Sequence, residues 1–455
     1  MSLSTPLLVL ALWGCKDGAT DDTATTTGCE AYPEPCVFVD PQDPDADLLE
    51  VVNDLSDGTT IVLGVGTFNL QNEVAINGVT DITLTGQGMD RSILDFSEMA
   101  VQGNGVFAVG DGFTIQDLTI SNPIKDGLRI EDSEDITITR VRATWDSASS
   151  ENGGYGLYPV RVRNVLLQDS EAFHAADAGI YVGQCTNAVV RNNLAKGNVA
   201  GIEIENTQYA DVYGNTATDN TGGLVVFDLP GNPIVGHDVY IHDNTIVDNN
   251  RANFAPGGTV AAIPAGTGTF AMASRRVVIT GNTYENNDSV DIALISGLII
   301  ESDPEVWALD PAELVGDAGK LSYDEADGKV YNFRTHDVYI HGNSYSGSGT
   351  NPDTSDAEVR ELGFLLKLLF GDDPVSTVLY DGIGESAFST TEASGNSNDN
   401  VICVGADTPS FMNFYIEGQG AIPKAENTYQ PTSPFEPYNC SALTGGEIDQ
   451  PDMVY

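Results

Sequence analysis

A phenol, an imidazole and a carboxyl fall close together in this chain: Tyr155, His174 and Asp177. Side chains of these types can take and return a proton, and beside a sugar carboxylate they make a candidate acid/base set. Around them, Arg129, Tyr158, Tyr181 and Glu203 each stand two residues after a glycine (Gly127, Gly156, Gly179 and Gly201), and Glu205 follows two further on. Aromatic plates with charged groups beside them suit a carbohydrate, whose rings stack while its hydroxyls are held. Glu203 and Glu205 alternate onto one strand face about 7 Å apart, within the range used by paired hydrolytic carboxylates. Asp228 lies in a Pro/Gly-rich loop, 226–233, which with 253–268 reads as a groove wall. Lyase, epimerase and hydrolase chemistry all stay open. So does a non-enzymatic surface scaffold that offers its loops to a partner protein.

The remaining chemically able residues read as structural. Four histidines sit in a duplication, His237-DVYI-His242 and His336-DVYI-His341, and that spacing alone makes no zinc site. Cys29 pairs plausibly with Cys36, and Cys403 with Cys440, as disulfides of an oxidising compartment. Cys185 is left over inside a repeat, where a buried inert thiol is expected. Lys125, Arg129, Arg140, Arg142, Arg161, Arg163, Arg191 and Lys196 cluster in one part of the chain. They would either admit an anionic sugar or form salt bridges with Glu131, Asp132, Glu151 and Asp169.

Repeats must position these groups. Segments aligned on glycine, such as GLRIEDSEDITITRVRA from Gly127, GIYVGQCTNAVVRNNLA from Gly179 and GIEIENTQYADVYGNTA from Gly201, share one pattern: G-h-x-h, a polar turn, h-x-h, then an Asn. Alternation with period two makes short half-buried strands. Such strands cannot bury a core alone, but stacked coils share one. The expected fold is all-β: a right-handed parallel β-helix solenoid with a capping helix and C-terminal helical or irregular excursions. Asn193, Asn215, Asn244, Asn282 and Asn343 recur at one place and predict a ladder of side-chain amides.

The expected divisions are a signal peptide over 1–15, a tether over 16–28, a disulfide-containing segment with an amphipathic capping helix over 29–58, and the core over 59–296. An insertion follows over 297–330, a further coil over 331–349, and an excursion with a second helix over 350–455. The apolar run ending in Leu12-Trp13-Gly14-Cys15 resembles a bacterial lipobox, which implies lipidation at Cys15. It predicts a cell-envelope protein, at an outer membrane or cell surface, that meets the membrane through its lipid only. With 67 acidic and 19 basic residues the net charge is −48, a surface that repels nucleic acid. No cofactor is expected, although calcium held by so acidic a surface stays open.

YGLYPV at 155–160, followed by GIYVGQ, VAGIEIEN, VFDLP and NFAPGG, resembles a family of bacterial exported parallel β-helix repeat proteins over roughly residues 40–345. The resemblance implies the same fold and an exported, often lipid-anchored form, without an established activity. It also implies a second exported protein as partner. A looser resemblance is to mannuronan C5-epimerases and β-helix polysaccharide lyases. The epimerase active-site strand looks like Y-G-F-D-P-H. Tyr155, Gly156 and Pro159 match it, and Leu157 replaces the Phe. Tyr158 and Val160 stand at the Asp and His positions that carry the proton chemistry, so the resemblance leaves that activity to His174 if it is present at all. The calcium-binding Gly-Gly-x-Gly-x-Asp repeats are missing.

Overall fold

The structure is a computed structural model; it describes residues 28–321, 325–355, 361–383, 398, 400–413, 438–443 and 446–453. The expected signal peptide, Cys15 and almost all of the tether lie outside these residues.

The chain winds as three-sided coils. In one coil the sides are Ala178–Gly183, Thr186–Arg191 and Leu194–Lys196; in the next they are Ala200–Glu205, Gln208–Tyr213 and Thr216–Thr218. Each side pairs in parallel with the corresponding side of the next coil, so that Ile180 lies beside Ile202 and Ile202 beside Leu224. We call the three resulting sheets the first, second and third stacks. Inward residues of all three, such as Leu157 and Ile202 of the first, Val190 and Val212 of the second and Ala195 and Ile246 of the third, form one continuous core.

Tight corners explain the polar punctuation of the repeat. At the start of the second stack, one residue into each of its strands, Asp135, Asn164, Asn187, Tyr209, Asp238, Arg276 and Asp337 form a column, each with φ between 50 and 63°. Short polar residues tolerate this left-handed conformation best, and five of the seven are Asp or Asn. After the second stack the column is Asn192, Gly214, Asp243, Gly281 and Gly342, again left-handed. The residue following each of these is the ladder Asn. Asn193 Nδ2 donates to Asn215 Oδ1 at 2.9 Å, Asn215 to Asn244 at 2.9 Å, Asn244 to Asn282 at 2.9 Å and Asn282 to Asn343 at 3.0 Å. A second ladder, not anticipated from the sequence, runs through Asn198, Asn220, Asn249 and Asn287 at the next corner. It obeys the same rule, since Gly197, Asp219, Asp248 and Asn286 before it are left-handed too.

The capping helix α1 spans Leu48–Asn53, shorter than the amphipathic segment suggests; Asp47 caps it by accepting from Leu49 N and Glu50 N, and Leu48 and Val52 are buried. Winding begins earlier than expected, at Cys36–Val39, which pairs with Thr60–Leu63. It also continues later. Val378–Tyr380, Ile402–Val404 and Phe411–Asn413, inside the expected excursion, add strands to the first and second stacks. These short strands are buried throughout and have lost the repeat's length. A second helix, α2, spans Glu361–Phe370. The disulfides Cys29–Cys36 and Cys403–Cys440 are both formed. Among the described residues no helix is long and apolar enough to cross a membrane.

Candidate functional site

The outward side chains of the first stack form the column Ala75, Phe107, Arg129, Tyr158, Tyr181, Glu203, Val225, Phe270, Ala293 and Leu379, one per coil. The stacking of Arg129, Tyr158, Tyr181 and Glu203 is therefore as the glycine register implies. Their expected exposure is not. From Tyr181 onward this face carries a second apolar layer, in which Ala178, Val199, Val225, Phe227 and Phe270 meet Val260 and Ile263 of an overlying loop, Trp307 of the insertion, Phe333 just after it, and Leu366 of α2. Tyr181, Glu203 and Glu205 keep only 3, 1 and 6% of their surface. Local alternation points them away from the helical core, and inserted chain then covers them.

The N-terminal part of the same face is open. A groove of about 470 Å³ lies over Phe107, Lys125 and Arg129, with Glu73, Asn104 and Glu131 at its edges. Arg129 is held in place there: its Nε and Nη2 donate to Glu131 at 2.9 and 2.6 Å, and its guanidinium carbon sits 5.1 Å from the centre of the Tyr158 ring, a cation–π contact. Asn104 donates twice to Glu73, at 2.7 Å each. Lys125 is exposed and makes no salt bridge among the described residues. Sequence reasoning missed Phe107. The signal was present, because Phe107 stands two residues after Gly105 in a repeat that begins GVFAVG.

Behind the groove the three tyrosines pack into one cluster, with ring centres 4.5 Å (Tyr155–Tyr158), 4.6 Å (Tyr155–Tyr181) and 4.7 Å (Tyr158–Tyr181) apart. Beneath them lie three carboxyls. Asp177 is hydrogen-bonded to Tyr155, and burial pushes its pKa up to about 7 against that bond. Glu205 is hydrogen-bonded to Tyr181, and burial likewise brings it to about 7. Glu203 is held well above the usual carboxylate range, by burial first and then by Asp177 and Glu205. Desolvation disfavours the charged form, and no cation among the described residues pairs with any of the three. Asp126, nearer the groove, is raised by burial to about 6 despite Arg129 3.9 Å away.

Tyr155 and Asp177 are thus brought together, but His174 is not with them. It adopts a left-handed conformation, its Nδ1 lies 2.7 Å from the Trp145 carbonyl oxygen, and its ring borders Gly197. Asp228 is no part of a groove wall. It is buried against Arg275 at 2.8 Å and accepts from Gly236 N, because the loop that follows folds inward. Most of the clustered arginines are neutralised: Arg140 by Asp117, Arg142 by Asp90 and Glu171, Arg161 by Asp132 and Glu131, Arg163 by Glu134. Cys185 is buried, with its thiol pushed up to about 12 by burial. His237 and His242 bond to neighbouring aspartates, Asp238 and Asp243, at 2.8 Å.

The family described as right handed beta helix region matches residues 82–236 and again 149–303. No curated protein matches the chain. Among solved structures, the chain is similar to the mannuronan C-5 epimerase AlgE4 A-module of Azotobacter vinelandii, at 16% identity and TM-score 0.42 over 74% of this chain and 91% of that one. It is also similar to the periplasmic alginate epimerase AlgG, at 12% identity and TM-score 0.37 over 70 and 80%, and to pectate lyase Pel9A, at 14% identity and TM-score 0.34 over 71 and 82%. Parallel pairing coil after coil, the two asparagine ladders and the family match over residues 82–303 together make the fold a right-handed parallel β-helix.

Proposed function

We propose that this protein binds a polysaccharide in the groove over Phe107 and Arg129. The observation that carries the reading is the groove itself: open, about 470 Å³, and floored by an aromatic ring beside two cations. Phe107 offers a stacking plate, while Lys125, Arg129, Asn104 and Glu73 offer donors and acceptors for hydroxyls. The carboxylates at its edges are already engaged, Glu131 by Arg129 and Glu73 by Asn104, which favours binding over turnover. Lipidation of Cys15 would hold this groove at the cell envelope, so retention of an envelope or extracellular glycan is the role that fits.

The test is a glycan array probed with the purified protein, with and without calcium. Losing the plate in Phe107→Ala should weaken retention roughly tenfold or more, with the thermal melt unchanged. An array that retains no glycan under either condition, or a variant that binds like the wild type, would overturn the reading. The scaffold alternative has its own observation: Phe364 and Leu368 of α2 expose about half of their surface, at 52 and 55%. It predicts an empty array and capture of a partner protein by this helix.

A further inference from the structure

Granting the glycan groove proposed above, on which this selectivity rests, we infer that the groove takes an uncharged, N-acetylated glycan in preference to an anionic one.

The groove carries no surplus of positive charge. Its charged side chains are two cations, Lys125 and Arg129, and two carboxylates, Glu73 and Glu131. Arg129 is already answered by Glu131 at 2.6 Å, and it faces Asp126 at 3.9 Å. Glu73 is bonded to the neutral Asn104, so its charge stands against that of Lys125. A carboxylate taken out of water is stabilised only where an unspent cation receives it, and the four charges here already balance. A polysaccharide also runs beyond the groove, along a body whose net charge is −48. There each further sugar carboxylate meets like charge. An uncharged chain meets neither cost.

The rim of the groove adds an aliphatic side chain and a neutral amide. Val101 lines it with 68% of its surface exposed, and Ile124, next to Lys125 in the chain, keeps 36%. Gln102 lines it beside Val101 and is exposed. This turn is fixed to the neighbouring coil, because Lys125 N donates to Gly103 O at 3.0 Å. Phe107 stands next to Arg129 in register, with the small Ala75 on its other side. A sugar ring on Phe107 therefore shares its groove with an aliphatic contact, an amide and an ammonium. An acetamido group is the complement of that set. Its methyl covers Val101, its N–H donates to Gln102 Oε1, and its carbonyl oxygen accepts from Lys125 Nζ. A hydroxyl in its place leaves Val101 in water. Taking one methyl out of water is worth roughly fourfold in affinity.

The test measures binding of the purified protein to three oligosaccharides of equal length and like linkage, built from N-acetylglucosamine, glucose or mannuronate, at low and high salt. The N-acetylglucosamine oligomer should bind roughly fourfold or more tightly than the glucose oligomer, with little change on adding salt. Mannuronate should bind weakest at low salt, where repulsion is least screened. Val101→Ser removes the aliphatic contact at an exposed position, where substitution spares the fold. It should bring the first two oligomers to within about twofold of each other. Mannuronate bound more tightly than the N-acetylated oligomer, or a preference for the acetylated one that survives Val101→Ser, would overturn the selectivity. Mannuronate binding that Phe107→Ala abolishes does so while the glycan groove stands. If none of the three binds but the array retains another glycan that Phe107→Ala loses, the selectivity falls and the groove again stands; an empty array removes both.

Discussion

Replacing Asn215 by Ala tests how much of the solenoid's stability rests on its corners. The side chain makes four hydrogen bonds: Nδ2 to Val190 O and to Asn244 Oδ1, and Oδ1 from Asn193 N and Asn193 Nδ2, each at 2.9 Å. Two of the partners keep another bond. Asn193 Nδ2 still reaches Leu167 O, and Asn244 Oδ1 still accepts from Asn215 N. Asn193 N and Val190 O lose the partner described here and lie in a buried corner. At about 1–3 kcal/mol for each orphaned group, the substitution should cost about 2–6 kcal/mol. Coil stability in a solenoid is local plus nearest-neighbour, so the loss should appear first between the coils that hold Asn193 and Asn244. Denaturant unfolding gives the total, and hydrogen exchange at the Asn193 amide locates it. Asn215→Asp is the companion variant. It keeps both acceptor bonds and loses both donor bonds while ionised, and burial raises its pKa. Its penalty should therefore shrink as pH is lowered through that raised pKa and a proton returns one donor. An alanine variant within about 0.5 kcal/mol of the wild type would refute the view that the ladders are structural members.

Two further outcomes are expected. Arg275→Met leaves Asp228 buried without its cation, and breaking such a pair costs about 3–5 kcal/mol; a denaturation midpoint unchanged from the wild type would show that the ion pair adds nothing to the fold. Cys15→Ser should abolish incorporation of labelled fatty acid and move the protein from the membrane to the soluble fraction, whereas a variant that stays labelled would remove the proposed anchor.

Much of the fold was legible because its causes are local. Period-two alternation decides which side chains face the core, and glycine spacing decides which of them stack. Leu128, Leu157, Ile180, Ile202 and Leu224 fall into one column from their distance to a glycine alone. The Asn ladder was legible for the same reason: each member follows a residue able to adopt a left-handed corner. Where the repeat loses its length its strands are no longer legible, as at Val378–Tyr380, whose three apolar residues are all buried.

The site divides along the same line. Sequence by itself determined that Arg129, Tyr158, Tyr181 and Glu203 would stand in a row, because register within a solenoid follows from coil length. It also held Phe107 in that row. Only the tertiary structure decided which of them meet solvent. Residues 253–263, the insertion and α2 come from far along the chain, and their landing place depends on the apolar layer formed by Val225, Phe227 and Phe270. No periodicity in a strand records what will cover it. The cover therefore turned an expected open strip into a groove at Phe107 and Arg129 and a buried pair of carboxyls at Glu203 and Glu205.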